Sequence, residues 1–183
     1  SGAGFLVVRN RWPSRPAPST IAGMPSQRLS DLDIARAFVC PHWPYWERFG
    51  DPALKDERGG AEASDLFESL WDEAAIGERL APGAVRVRET DETAAAAATL
   101  RLMETGVPAI ASPCLRTDAA VGRPSLLVRV PGQSRFGEYA YAPLDIRRGA
   151  ILRKDERFRL FFYADLLETI QGSYPVTLEC ANG

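Results

Sequence analysis

The fold is decided by Gly122-Arg123-Pro124-Ser125-Leu126-Leu127-Val128-Arg129-Val130 and by a second run, Tyr139-Ala140-Tyr141-Ala142-Pro143-Leu144-Asp145-Ile146-Arg147-Arg148-Gly149. Both runs are rich in β-branched and aromatic residues, and they flank Pro131-Gly132, which predicts a β-hairpin with its turn at that pair. The second run ends in Asp145-x-Arg147. The hairpin is therefore expected to place charged groups at the edge of an apolar sheet.

Composition restricts the class of protein. A chain of 183 residues that is 45% hydrophobic fits one globular domain with a sizeable core. Because no apolar run approaches the roughly 18 residues that cross a bilayer, and the first residues lack a charged-then-apolar pattern, we expect a cytoplasmic protein without a membrane partner. The formal net charge is only -2, so any polyanion must be held by a local basic patch.

Cysteine and histidine usage excludes several kinds of site. Cys40, Cys114 and Cys180 are widely spaced and odd in number, which favours reduced thiols over disulfides. His42 is the single histidine of the sequence, so neither a zinc-binding histidine pair nor a Ser-His triad can form. A packed or hydrogen-bonded ring is the expected role of His42.

The chain divides into two regions. Residues 1–28 contain four prolines among small polar residues and are predicted to be an N-terminal arm or linker. Residues 29–183 form the predicted domain, whose first helix begins after Ser30 as N-cap, with Ile34, Ala37 and Phe38 as its apolar stripe. Further helices are predicted over 64–80, 91–105 and 155–171, and strands over 5–8, 84–88, 107–115 and 176–180.

The helix predicted over 64–80 carries an unusual acid. Glu73 falls within an apolar stripe that includes Leu70, Gly77 and Leu80 at helical spacing. A carboxylate that faces a core costs several kcal/mol unless a positive or hydrogen-bonding partner meets it. The residues alone leave two roles open for Glu73, a buried ion pair and a metal ligand.

From about residue 29 to 180, these motifs and their order resemble the RecB-like branch of the PD-(D/E)xK nuclease superfamily. The resemblance implies an α/β fold with a restriction-endonuclease-like core, in which helices flank a central mixed β-sheet. In that family an acid on a helix, an acid at a strand end and an acid-x-lysine on the next strand converge on one or two magnesium ions. The ion polarises the scissile phosphate and activates a water.

Three residues match the pattern of that family. Glu73 in Trp71-Asp72-Glu73-Ala74 corresponds to the helix acid, and Asp145 corresponds to the acid of the acid-x-lysine motif. Tyr163 in Arg159-Leu160-Phe161-Phe162-Tyr163 corresponds to the tyrosine of a following helix that carries glutamine and tyrosine four residues apart. The resemblance makes Glu73 and Asp145 the metal ligands if an ion binds.

Three other residues depart from it. Ser125 replaces the strand-end aspartate, Arg147 replaces the lysine and Arg159 replaces the glutamine. A neutral hydroxyl is a poor ligand for Mg²⁺, and an always-protonated guanidinium cannot shuttle a proton. We therefore expect weak binding of Mg²⁺ or Mn²⁺ and an ion pair of Arg159 with Glu73 or Asp145 in the place of the metal. No iron-sulfur cluster is expected, since three cysteines cannot supply the four ligands found in some members.

The function predicted from these departures is that of a catalytically degenerate nuclease fold, retained for nucleic-acid binding or as a structural module beside other domains of a larger protein. Phosphates would contact the basic residues next to the site, which are Arg148, Arg153, Lys154 and Arg157. The other interpretation of these residues is a solvated helix face, partly neutralised by the neighbouring acids.

Three alternatives stay open at the level of sequence. One is a working Mg²⁺- or Mn²⁺-dependent DNase with a reorganised site, in which Glu73, Asp145 and Asp118 hold the ion. Another is an unrelated α/β domain whose hairpin matches by chance, which predicts that Glu73 and Asp145 lie far apart. The third is a substitution introduced to trap an inactive protein.

Overall fold

A computed structural model describes residues 28–54, 73–147, 152–175 and 177–182. Its helices are α1 (Asp31–Val39), α2 (Trp43–Phe49), α3 (Glu73–Leu80), α4 (Glu92–Glu104) and α5 (Lys154–Gln171), with a short 3-10 turn at Pro52–Leu54. Its strands are β1 (Leu29–Ser30), β2 (Val85–Arg86), β3 (Ala109–Ala111), β4 (Leu115–Arg116), β5 (Ala120–Gly122), β6 (Leu126–Ser134), β7 (Gly137–Arg147) and β8 (Glu179–Asn182). The predicted arm, apart from Arg28, and the strand predicted over 5–8 lie outside the described residues.

The strands form two mixed sheets. The larger has the order β2-β3-β6-β7-β8, with parallel pairs at both edges and antiparallel pairs in the middle. The smaller has the order β1-β5-β4. Helices flank these sheets, so the predicted α/β class is confirmed at this level.

The hairpin is present, but its turn is not where the sequence placed it. Strand β6 continues through Pro131 to Ser134, and the turn falls at Arg135-Phe136. The pairing register is irregular between Pro131 and Ser134, and such an irregularity accommodates a proline within a strand. Ser134 closes the turn, because its hydroxyl donates to the Tyr139 carbonyl at 2.5 Å and accepts from the Phe136 amide at 3.1 Å. The predicted turn at Pro131-Gly132 was wrong.

Helix α1 begins as predicted. The Ser30 hydroxyl accepts from the Asp33 amide at 3.1 Å, and the Asp33 carboxylate accepts from the Ser30 amide at 2.8 Å. The predicted apolar stripe is wrong at Phe38, which remains 43% exposed. The buried side of α1 instead includes Ala35 and Asp33, whose carboxylate is paired with Arg48 of α2.

Helix α5 is the central packing element. Its buried face includes Leu160, Tyr163, Leu166 and Leu167. It approaches β5 so closely that a Cβ atom on Gly122 would lie 2.9 Å from Leu166 and Tyr163 side-chain atoms. The helix therefore needs a residue without a side chain at this crossing.

The last residue of α5 ties it to the hairpin. The Gln171 side chain is fully buried, accepts from the Tyr141 amide at 2.8 Å and donates to the Tyr141 carbonyl at 3.1 Å. Gly172 follows in the left-handed region with φ 75°, which ends the helix. The amide of Gln171 thus satisfies both backbone groups of one β7 residue.

The described residues bear on two expectations from the sequence, one about membrane-spanning helices and one about the cysteines. None of the helices in the described ranges is long and apolar enough to cross a membrane. Within the described residues, no disulfide bond joins Cys40, Cys114 and Cys180. Cys114 and Cys180 are buried, whereas Cys40 is exposed.

Candidate functional site

Asp145 lies near the end of β7 and is the centre of the candidate site. Its side chain is 6% exposed. Ser125, just before β6, donates its hydroxyl to Asp145 Oδ1 at 3.1 Å, and Arg159 of α5 donates from Nη2 to Oδ2 at 3.1 Å. The pairing of Arg159 with Asp145 is one of the two ion pairs predicted from the sequence. The hairpin and the following helix thus converge on one carboxylate.

Ser125 has a second role in holding this arrangement. Its hydroxyl oxygen accepts from the backbone amide of Ile146 at 3.0 Å while the hydroxyl donates to Asp145. One small side chain therefore fixes both the backbone after Asp145 and the carboxylate itself. An aspartate here would bring a second negative charge against the buried carboxylate, and it would need a cation to offset that charge.

The electrostatics of Arg159 follow from its surroundings. Burial lowers the pKa of its guanidinium, but the negative charges of Asp145 and Asp31 raise it, and the net shift is upward. Arg159 is therefore held in its charged form. Its Nε atom is buried and has no hydrogen-bond partner among the described residues, and the hydrogen bond to Asp145 comes from Nη2.

A second cluster lies beside the first on the same helix. Tyr163 donates its hydroxyl to Asp31 Oδ2 at 2.9 Å, and the Arg123 amide donates to the same oxygen at 2.8 Å. Burial raises the pKa of Tyr163 well above its ordinary value, and the charges of Asp145 and Asp31 add to this effect. Tyr163 therefore acts as a neutral donor that joins α5 to the start of α1.

Asp31 was missed as a member of this site. Its contacts to Arg123 and Tyr163 span 92 and 132 residues of chain, and no local pattern carries such information. The available signal was its place in the first turn of α1, where acids are common because they interact favourably with the helix dipole.

The predicted helix acid is only partly described. The backbone of Glu73 begins α3, but its side chain, like that of Arg147, lies outside the described residues. One turn further along α3, a Cβ atom at buried Gly77 would lie 3.8 Å from the Ile146 side chain. Helix α3 therefore packs beside the end of β7. Whether the Glu73 and Asp145 carboxylates meet stays a prediction.

Asp118, which the alternative interpretation made a metal ligand, lies elsewhere. It is exposed in the turn between β4 and β5, and it lines a surface cavity together with Thr169 of α5. Thr169 is ten residues beyond Arg159, which is about 15 Å along a helix. The structure thus does not bring Asp118 to Asp145.

The predicted basic residues differ in their surroundings. Arg148 lies outside the described residues. Arg153 is engaged with neighbouring acids, at 3.1 Å from Asp155 and 3.6 Å from Glu156. Lys154 and Arg157 are exposed, and neither forms an ion pair with a carboxylate of the described chain.

Two aromatic side chains, Phe158 and Phe38, accompany these cations. Neither was predicted from the sequence to belong to a site. Phe158 is 57% exposed, and its ring centroid lies 5.1 Å from that of Phe38 on α1. We call the exposed residues Lys154, Arg157, Phe158 and Phe38 the basic-aromatic surface. Phe158 directly follows Arg157, which was a usable signal, but the contact with Phe38 was not visible in the sequence.

A resident divalent cation does not fit the residues described around Asp145. Both of its carboxylate oxygens accept hydrogen bonds from Ser125 and Arg159, and a guanidinium already supplies positive charge. Over the described ranges, no three His, Cys, Asp or Glu side chains are grouped so that they could hold a metal. The local chemistry is that of an ion pair supported by a hydroxyl.

The comparisons with known proteins add no assignment. No protein-family model, no curated protein and no solved structure matches this chain.

Proposed function

We propose that this chain is a catalytically degenerate nuclease-like domain, with a RecB-like PD-(D/E)xK core, that binds nucleic acid as one module of a larger protein. The observation that carries the first part is the engagement of Asp145 by Ser125 and Arg159. The position of this acid near the end of β7, with Tyr163 on the following helix, supports the resemblance in core topology.

The same contacts argue against phosphodiester hydrolysis. Metal-dependent nucleases need anionic oxygens that bind a cation, which then polarises the phosphate and lowers the pKa of the attacking water. Here Arg159 neutralises Asp145, and Ser125 contributes a hydroxyl without charge. A permanently protonated guanidinium stabilises charge but does not accept a proton. The arrangement suits a structural support.

Nucleic-acid binding is proposed from the basic-aromatic surface. Lys154 and Arg157 provide positive charge that no described carboxylate neutralises. Exposed aromatic faces such as that of Phe158 are suited to contacts with unpaired bases, and nearby cations are suited to phosphates. Because the protein as a whole is slightly acidic, this local charge is what a polyanion would meet.

A fluorescence anisotropy titration with a labelled oligonucleotide at low salt tests the binding part. We expect the Lys154→Ala/Arg157→Ala protein to bind more weakly. The slope of its log affinity against log salt concentration should be smaller by an amount that corresponds to about two phosphate contacts. The Arg79→Ala/Arg101→Ala protein is the matched control, since both of its arginines are exposed on other helices. Equal loss in the two proteins, or no binding by the wild type, rejects nucleic acid as the partner.

A nuclease assay with Mn²⁺ or Mg²⁺ tests the alternative of an active DNase. We expect no hydrolysis above that of the Asp145→Ala and Glu73→Ala proteins. Metal-dependent cleavage by the wild type that both substitutions abolish would show a reorganised but working site and would overturn the proposal of degeneracy.

A further inference from the structure

A surface cavity of the described chain lies away from Asp145. It has a volume of about 450 Å³ and is bounded by α4, by β4 with its following turn, by the β6-β7 turn and by the end of α5. This volume falls within the range that small-molecule sites occupy in proteins. The candidate site and its proposed function do not involve it.

The cavity has an apolar wall. Leu100 of α4 and Ile170 of α5 line it and keep part of their surface exposed, whereas Met103, which also lines it, is fully buried. Ala96 and Ala97 of α4 also line it and, being small, leave the space open. An occupant would therefore gain by burying hydrocarbon against this wall.

The rim is polar and carries two guanidinium groups. Arg135 is exposed and pairs with no described carboxylate, and its guanidinium lies 5.1 Å from the Phe136 ring centroid. Arg116 donates to the Thr93 hydroxyl at 3.0 Å. Its buried Nε lies 3.1 Å from a Glu92 carboxylate oxygen but is not aligned for a hydrogen bond with it.

These charges favour an anion. Glu92 offsets Arg116, but Arg135 keeps its charge beside the cavity, and the buried Nε of Arg116 has no hydrogen-bond acceptor among the described residues. Asp118 is the acid on the rim, and it forms no ion pair with Arg135. A ligand with an oxyanion would meet both guanidinium groups, while its apolar part would cover the partly exposed Leu100 and Ile170.

We infer that this cavity binds a small amphipathic anion, with a carboxylate or phosphate group against Arg135 and Arg116 and a short hydrocarbon part against α4. The orientation follows from the separation of the polar rim and the apolar wall. Carboxylates and phosphate esters share the recognition chemistry, since arginine donates to both.

Calorimetric titration of the full chain with octanoate and with octyl phosphate tests this inference and distinguishes the two head groups. Octan-1-ol and octyltrimethylammonium have the same chain length without the negative charge. We expect saturable binding of one or both anions and markedly weaker binding of the alcohol and the cation. No saturable binding of either anion, or equal binding of the alcohol, overturns the inference.

Variants locate the site. Arg135→Ala is expected to weaken anion binding roughly tenfold, as the loss of one charged hydrogen bond implies, whereas Arg101→Ala on the same helix as the apolar wall leaves it unchanged. Ala97→Trp fills the cavity and is expected to abolish binding. The matched control is Ala94→Trp, exposed on α4 but outside the lining. Identical effects of the two tryptophans, or of the two arginine replacements, place the binding elsewhere and reject the site.

Discussion

Asp145 Oδ2 lies 3.1 Å from Arg159 Nη2, and this pair joins the end of a β-strand to the second turn of the helix that follows it. The side chains are 6% and 21% exposed, so the charges are largely removed from water. In such surroundings each charge is stabilised by the other, because removing a lone ion from water costs free energy. The pair therefore determines which substitutions the candidate site tolerates.

Arg159→Gln is expected to lower the free energy of unfolding by about 2–3 kcal/mol. The figure lies below the roughly 3–5 kcal/mol for a fully buried pair because the Arg159 side chain is still 21% exposed. Urea denaturation measures the change. Arg157→Gln, at an exposed site on the same helix, is the control and should cost less than about 0.5 kcal/mol. Equal losses would mean that the pair contributes little.

Ser125→Asp/Arg159→Gln is expected to create a cation site. The double variant places a second carboxylate beside Asp145 and removes the competing guanidinium, so a divalent ion gains two anionic oxygens. Its melting temperature should rise by roughly 5 °C at Mn²⁺ concentrations about 100 times Kd, whereas that of the wild type should not change.

The Ser125→Asn/Arg159→Gln protein is the control for that experiment. Asparagine has nearly the shape of aspartate without its charge, so Mn²⁺ should leave its melting temperature unchanged. A similar rise in both proteins would show that the ion binds elsewhere.

Gly122→Ala is expected to destabilise the protein by about 1–3 kcal/mol. The new methyl group would meet Leu166 and Tyr163 at 2.9 Å, which forces α5 away from β5. Gly132→Ala is the control, since a Cβ there would lie an ordinary 3.5 Å from Ala140. Thermal or urea unfolding of the two proteins compares them directly, and similar stabilities would contradict the close packing at Gly122.

Stability should fall in alkaline solution. Burial, with a smaller contribution from Tyr139, raises the pKa of Tyr141 to about 12, whereas an unfolded tyrosine titrates near 10. From about pH 10 upward the unfolded chain releases a proton that the folded chain keeps, so the free energy of unfolding decreases until the folded pKa is reached. Tyr163 shifts in the same direction.

Tyr141→Phe checks this pH dependence. The variant should lose less stability than the wild type between pH 9 and pH 11, measured by urea denaturation at each pH. The control for removal of a hydroxyl is Tyr45→Phe, at a residue that is 56% exposed. If Tyr141→Phe keeps the wild-type slope, this tyrosine is not the source.

Local chemistry predicted where three helices begin or end, but the strand predicted over 107–115 was wrong, since this stretch holds two short strands, Ala109–Ala111 and Leu115–Arg116. Ser30 and Asp33 signalled the start of α1, Asp91 caps α4 as its position suggested, and Gly172 follows the end of α5. The turn of the hairpin was misplaced because Pro131-Gly132 carries a strong turn signal. The real turn depends on the side chain of Ser134, which a composition argument does not weigh.

The residues of the candidate site could be predicted where the family resemblance aligned this sequence with a motif. It brought Ser125, Asp145, Arg159 and Tyr163 to notice, and the structure places these four on neighbouring elements. Asp31 could not be found, because its role depends on how α1 packs against α5. Long-range packing of this kind decides which acid meets which donor, and a single sequence does not encode it in any short pattern.

Gln171 has a consequence for how the protein behaves when concentrated. Strand β8 pairs with β7 only from Leu144 onward, so the preceding stretch of β7 would otherwise offer unpaired amides and carbonyls to another molecule. The Gln171 amide occupies those groups at Tyr141. Its buried side chain thereby leaves neither of these two Tyr141 groups available to pair with a strand edge of another molecule.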